Sequence, residues 1–131
     1  MGTARLTIGV INDHADTIAM IESALRRAGF DTVGVQAREV RRGAVDLPAL
    51  CRKHGLSAVV YDIAIPYEGN WNFLQELRRT HGPELPPIVI TTTNVRGLAA
   101  YAADANVIEI FGKPFDLGLL VQAVQSVTHH T

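Results

Sequence analysis

Ala58-Val59-Val60-Tyr61-Asp62-Ile63 is the stretch that decides the fold. It reads as a strand, because an unbroken apolar run with paired valines ends in a single carboxylate. A strand apolar on both faces is covered on both sides, which is the mark of a parallel sheet. The same alternation continues downstream. Asn70 to His81 reads as a helix with Phe73, Leu74 and Leu77 inward, and Ile88-Val89-Ile90-Thr91 is a strand behind Pro86-Pro87. An Ala-rich helix from Val95 to Ala103, a strand from Val107 to Phe111 and a helix from Leu117 to Val127 complete that half. Upstream, Leu6 to Ile11 is a strand ended by Asn12-Asp13. Asp16 to Ala28 places Ile18, Ile21, Leu25 and Ala28 at helical spacing, with Gly29 as the stop. Thr32 to Gln36 is a strand weakened by Gly34. Asp46 then caps a helix with Pro48 in its first turn and Leu47, Leu50 and Cys51 on its apolar face, ending at Gly55. Only Ala37 to Asp46 is irregular; it carries Arg38, Arg41 and Arg42 and reads as an exposed connection. Strands alternating with helices of about 10–13 residues predict an α/β fold, (βα)5 and doubly wound.

Composition narrows the function classes. The 131 residues are 47% hydrophobic and 19% charged, with 12 Lys+Arg against 13 Asp+Glu and a formal charge of −1. That length fits one domain, 1–131, at about 100–200 residues per domain. Near-neutral charge gives no general attraction for nucleic acid or anionic lipid, so neither direct nucleic-acid binding nor membrane attachment is expected. No apolar run approaches the roughly 18 residues of a membrane span. The first residues lack the apolar core of a secretory signal, and the lone Cys51 forms no intrachain disulfide. The expected compartment is the cytoplasm.

In open parallel sheets, ligands bind beyond the carboxyl ends of the strands, near the switch in strand order. Those ends carry Asn12-Asp13, Asp62, Thr91-Thr92 and Gly112-Lys113-Pro114. Two carboxylates, a hydroxyl and an ammonium therefore converge on one edge. Asp13 and Asp62 repel each other unless a cation sits between them. Oxygen donors in this number suit Mg²⁺, which keeps waters and takes one or two carboxylates plus a phosphate. Taken singly, each residue has a plainer reading as a helix cap, a β-former or a surface lysine; their joint arrival at one edge is what counts. The remaining candidates are read as structural. His14 reads as a surface-loop histidine rather than one at the rim of the site, His54 and His81 end helices, His129-His130 form a tail, and Cys51 packs in the core. Arg38, Arg41 and Arg42 read as a solvated loop rather than a docking patch.

With these residues in place, nearly the whole chain resembles the receiver domain of bacterial two-component response regulators. The family's acidic pair appears as Asn12-Asp13, and its phosphoacceptor motif as Val59-Val60-Tyr61-Asp62-Ile63-Ala64-Ile65-Pro66. Its strand-four hydroxyl appears in Pro87-Ile88-Val89-Ile90-Thr91, and its Lys-Pro-Phe signature as Lys113-Pro114-Phe115. The resemblance implies a flavodoxin-like sheet of strand order 2-1-3-4-5 and a phosphoacceptor rather than an enzyme. It makes Asp62 the nucleophile toward a phosphoryl group from a sensor histidine kinase, a phosphotransfer protein or a small phosphodonor. It gives Mg²⁺ to Asp13, Asp62 and the backbone carbonyl of Ala64, with Asn12 touching the metal or orienting its water. Lys113 and Thr91 then bind phosphoryl oxygens, and Lys113-Pro114 is expected cis. The resemblance also implies a face for a downstream protein, an output domain or a second copy of the chain. That face comprises the fourth helix, fifth strand and fifth helix of the pattern, with Val95, Tyr101 and Ile110.

The chain departs from the family pattern at several positions. Asn12 replaces a carboxylate, and Gly69 comes one residue early after Pro66, which makes Tyr67 or Trp71 a candidate to lie over the site. Thr92 stands where a small residue is usual, in position to slow phosphoryl access, and Ile110 stands in place of the aromatic switch. The departures support one alternative, a pseudo-receiver that binds proteins without phosphate. Nucleotide binding is disfavoured because Asn12-Asp13-His14-Ala15 offers no glycine-rich cradle, and a haloacid-dehalogenase-type phosphatase because Ala64 stands where a second Asp is needed. With no linker after the last helix, the sequence fits a free-standing receiver or a piece of a longer protein.

Overall fold

The computed structural model describes residues 5–102, 107–110 and 114–128, without the side chains of 114 and 115. Its elements are β1 (Thr7–Asn12), α1 (Ala15–Arg27), β2 (Asp31–Gln36), α2 (Ala37–Arg41), α3 (Leu47–His54), β3 (Leu56–Asp62), α4 (Tyr67–His81), a 3₁₀ turn (Gly82–Glu84), β4 (Ile88–Thr92), α5 (Val95–Ala102), β5 (Val107–Glu109) and α6 (Pro114–Thr128). The strands form one parallel sheet in the order β2-β1-β3-β4-β5. The strand order therefore reverses between β1 and β3, and Asn12 and Asp62 flank that switch point.

Alternation along the strands sorts side chains onto two faces. Ile11, Val59, Tyr61, Ile63 and Ile90 face α2 to α5, where they pack with Ala37, Val40, Leu47, Cys51, Leu74 and Leu98. Ile8, Val10, Ala58, Val60 and Val89 face the other way and pack with Ile18, Ile21 and Leu25 of α1 and Leu120 and Val124 of α6. Asn12, Asp62 and Thr91 continue the second set. Asp13, one residue past β1, turns to the first.

Several expectations are corrected. The stretch from Ala37 is not wholly an exposed connection, because Ala37–Arg41 forms a helical turn that buries Ala37 and Val40. Two apolar residues among the arginines are too few for periodicity to register. The helix expected from Asn70 begins at Tyr67, directly behind Pro66, and Asn70 N–H closes its first turn on the Pro66 carbonyl at 3.1 Å. Gly34 proves to be an asset to β2, since a Cβ there would lie 2.6 Å from Ile18 Cγ2 and hold α1 off the sheet. Asp46 and Gly55 bracket α3 as the sequence predicts: the Asp46 carboxylate accepts Ala49 N–H at 3.1 Å, and Gly55 takes the left-handed conformation at φ 59°. The fifth strand closes at Glu109, and Phe111 lies outside the described residues.

Candidate functional site

At the carboxyl edge, beside the switch point, lies a cavity of about 350 Å³. The strand ends contribute Asn12, Asp62, Ala64, Thr91 and Thr93 to its wall; α1 supplies Thr17 and Met20, and His14 and Ile110 close the rim. The Thr91 hydroxyl donates to Asp62 Oδ1 at 2.8 Å, as the paired register Asp62↔Thr91 allows. Burial pushes the Asp62 carboxyl up to about 6; the Thr91 hydrogen bond opposes the rise, Asp13 adds to it, and His14 opposes it. Above that value the carboxylate is ionised and half-buried, and among the described residues no ion pair reaches it.

The loop after Asp62 is fixed by Asn70, a buried side chain whose Nδ2 donates to the Ala64 carbonyl at 2.9 Å. Asn12 is buried, and its Oδ1 accepts His14 N–H at 2.9 Å. Asp13 stands apart. Its Oδ1 accepts the backbone N–H of Arg38 at 2.9 Å, while Arg41 Nη2 reaches Oδ1 at 3.3 Å and Oδ2 at 3.1 Å. Beneath this pair, Tyr61 is fully buried, with no partner for its hydroxyl among the described residues, and burial pushes that hydroxyl up to about 12.

Asn12, Asp62, Ala64 and Thr91 thus meet at one cavity, whereas Asp13 ends the neighbouring strand but points to α2. Lys113 and the Lys113–Pro114 peptide lie outside the described residues. Four expectations change. Tyr67 and Trp71 do not lie over the site; they pack against the core on the α2–α5 side. Thr92 does not crowd it either, being fully buried with its hydroxyl donating to the Ile63 carbonyl at 2.8 Å. Ile110 is buried at the cavity wall and so is not part of an exposed docking face. His14 is exposed, as expected of a loop histidine, but it lines the same cavity as Asp62. Arg41 and Asn70 are the residues sequence reasoning missed. The Ala37/Val40 spacing is the one signal that Arg41 sits on an ordered turn, and nothing in the sequence distinguishes Asn70 from a surface asparagine.

The sequence model of the response regulator receiver domain matches residues 8–125. The chain belongs to this family. The receiver is 28% identical over 115 residues to the DNA-binding transcriptional regulator NtrC of Rhizobium meliloti, a match covering 88% of this chain and 22% of that protein. It therefore spans about a fifth of that relative's length. Among solved structures, it superposes on a response regulator from Thermotoga maritima with a TM-score of 0.67 at 19% identity, covering 95% of this chain and 98% of that one. The chemotaxis protein CheY4 of Vibrio cholerae gives 0.64 at 20% identity, with 95% and 99% covered. The flavodoxin-like order expected from the motifs is the order observed, and the chain is a receiver domain of two-component signalling.

The receiver's donor set fits a hard divalent cation. Asp62, the Ala64 carbonyl and Asn12 offer oxygens suited to Mg²⁺, around a half-buried carboxylate that has no ion pair among the described residues. Among the described residues no helix is long and apolar enough to cross a membrane.

Proposed function

We propose that Asp62 is the phosphoacceptor of this receiver and that Mg²⁺ supports the transfer. The observation that carries this reading is the Asp62 carboxylate, half-buried at the switch point and bonded to Thr91 beside an open cavity. Asp62 attacks the phosphorus of a phosphohistidine on a sensor kinase or phosphotransfer protein, or of a small phosphodonor. The P–N or P–O bond breaks as the new P–O bond forms, and the leaving group departs with the electron pair. Asp62, Asp13 and the Ala64 carbonyl would hold Mg²⁺, with Asn12 as a direct or water-mediated contact. When bound, the ion neutralises charge on the phosphoryl oxygens.

Asp62 itself is ionised above pH 6 and needs no general base. Asn70 holds the Ala64 carbonyl in place, and the Thr91 hydroxyl, released from Oδ1, donates to a phosphoryl oxygen. Lys113 pairs with another. The chain acts as a switch rather than a turnover enzyme. Its output face lies on α5, β5 and α6, where Val95 and the exposed Tyr101 and Leu119 offer apolar contact to a downstream protein, an output domain or a second copy. The cytoplasm, where such kinases act, is its proposed compartment.

The test is intact mass after incubation with acetyl phosphate, with and without Mg²⁺, on wild type and Asp62→Asn. The reading expects a Mg²⁺-dependent gain of one phosphoryl mass (~80 Da) that disappears in the variant. A folded wild type that gains nothing, from acetyl phosphate or from its kinase, sinks the reading in favour of a pseudo-receiver.

A further inference from the structure

We infer that Arg41 is a positioning residue that competes with the cation for Asp13 and sets the Mg²⁺ concentration at which this receiver becomes competent. The inference rests on the metal reading above and concerns a contact that the reading does not use. Alternation turns Asp13 to the α2 face, where Arg38 N–H and the Arg41 guanidinium hold its carboxylate. Oδ1 carries two donors and Oδ2 one, so three of about four lone-pair sites are taken. Asp13 is accordingly absent from the cavity wall that Asn12, Asp62 and Ala64 share.

Mg²⁺ binds carboxylate oxygen at about 2.0–2.1 Å in near-octahedral geometry and would bring a double positive charge against the guanidinium. Asp13 must therefore leave Arg41 to serve the cation. Arg41 has somewhere to go, since the side chains of Arg41 and Asp13 remain 27% and 25% exposed. The same partial exposure keeps the clasp weak enough for an ion to break. The turn Ala37–Arg41 is what makes the contact, because burial of Ala37 and Val40 fixes the backbone from which Arg41 reaches across.

Mg²⁺ affinity, measured by titration calorimetry, decides the matter without any phosphoryl transfer. Arg41→Gln is expected to bind Mg²⁺ about three- to fivefold more tightly than wild type, the size of a partly exposed ion pair. Arg41→Lys, which keeps the charge but loses the guanidinium fork, is expected between the two. Arg38→Gln controls for general charge, because that side chain bonds Gln36 and not Asp13; its affinity should match wild type. Thermal melts establish that each variant folds, and Arg41→Lys alone carries the test if Arg41→Gln does not. Equal or weaker binding by folded Arg41 variants overturns the inference, and so does an equal gain in Arg38→Gln. If wild type binds Mg²⁺ but neither Arg41 variant binds it more tightly, the inference alone fails. If no form binds Mg²⁺, the metal reading falls and takes the inference with it.

Discussion

Asp13 and Asp62 stand at the ends of neighbouring strands of one sheet, on either side of the switch point, and the chain manages their charges in opposite ways. Asp62 is half-buried, with one hydroxyl on Oδ1 and its carboxyl pushed up to about 6. Asp13 is half-buried too, but it is held by a guanidinium and a backbone amide. The difference follows from strand alternation, which sends Asp62 toward α1 and the cavity and Asp13 toward the arginines of α2. One carboxylate is left under-compensated, the state in which a nucleophile or a cation ligand is useful. The other is compensated by the protein itself. Stability ought to register that contrast with opposite signs.

The largest effect belongs to Asp62. Its value rises from 3.8 unfolded to about 6 folded, so between those limits the native state binds more protons than the unfolded one. In metal-free protein, stability then falls as pH rises from about 4 to about 6 and stays low above, a loss on the order of 3 kcal/mol. Asp62→Asn, neutral at every pH and still able to accept from Thr91, should recover that loss at pH 8 and flatten the profile. Urea melts of both proteins at pH 4 and pH 8, with chelator present, read the difference. Parallel pH profiles would mean that Asp62 is not under-compensated at all.

Neutral hydrogen bonds, rather than charges, shape the Asp62 side. Asn70→Ala removes the donor from the Ala64 carbonyl and empties a buried polar position, at a cost of about 2 kcal/mol. Denaturant unfolding measures it. A loss under about 0.5 kcal/mol would show that the loop holds its shape without Asn70. Asp13→Asn tests the opposite side. It breaks a partly exposed ion pair and should lower stability by less than about 1 kcal/mol, the more so at low salt. Because Asp13 also pushes Asp62 up, the same substitution should move the Asp62 midpoint to lower pH, which carboxyl-carbon NMR titration follows.

The Asp62 side of this contrast lay open in the sequence, and the Asp13 side did not. Strands with long apolar runs, such as Val59-Val60-Tyr61, and helices with several turns of periodicity were legible because many residues repeat one signal. So were Asp62 and Thr91 at their strand ends, where topology alone brings them to one edge. Arg41 was not, because its turn offers only Ala37 and Val40 as apolar markers, and one turn is below the length at which a helical period can be read. Thr92 was misjudged for a related reason: its position beside Thr91 suggested crowding, but adjacent residues on a strand face opposite ways. Asn70 needed the three-dimensional path of the loop, which no spacing encodes.

The smallest expected effect concerns Tyr61, the residue between these two regimes. Its ring fills the core on the α2–α5 side and its hydroxyl is sealed without a partner among the described residues, near enough to the Asp13–Arg41 pair for both charges to act on it. Tyr61→Phe keeps the ring and removes a desolvated hydroxyl that gains nothing in return, so stability should stay level or rise by up to about 1 kcal/mol. A loss of more than about 1 kcal/mol would instead show the hydroxyl bonded in solution. The double variant Tyr61→Phe/Asp13→Asn then tells where that partner lies. Additive losses place it outside the clasp, while a smaller combined loss makes Tyr61 a third member of it and extends the compensated side of the sheet into the core.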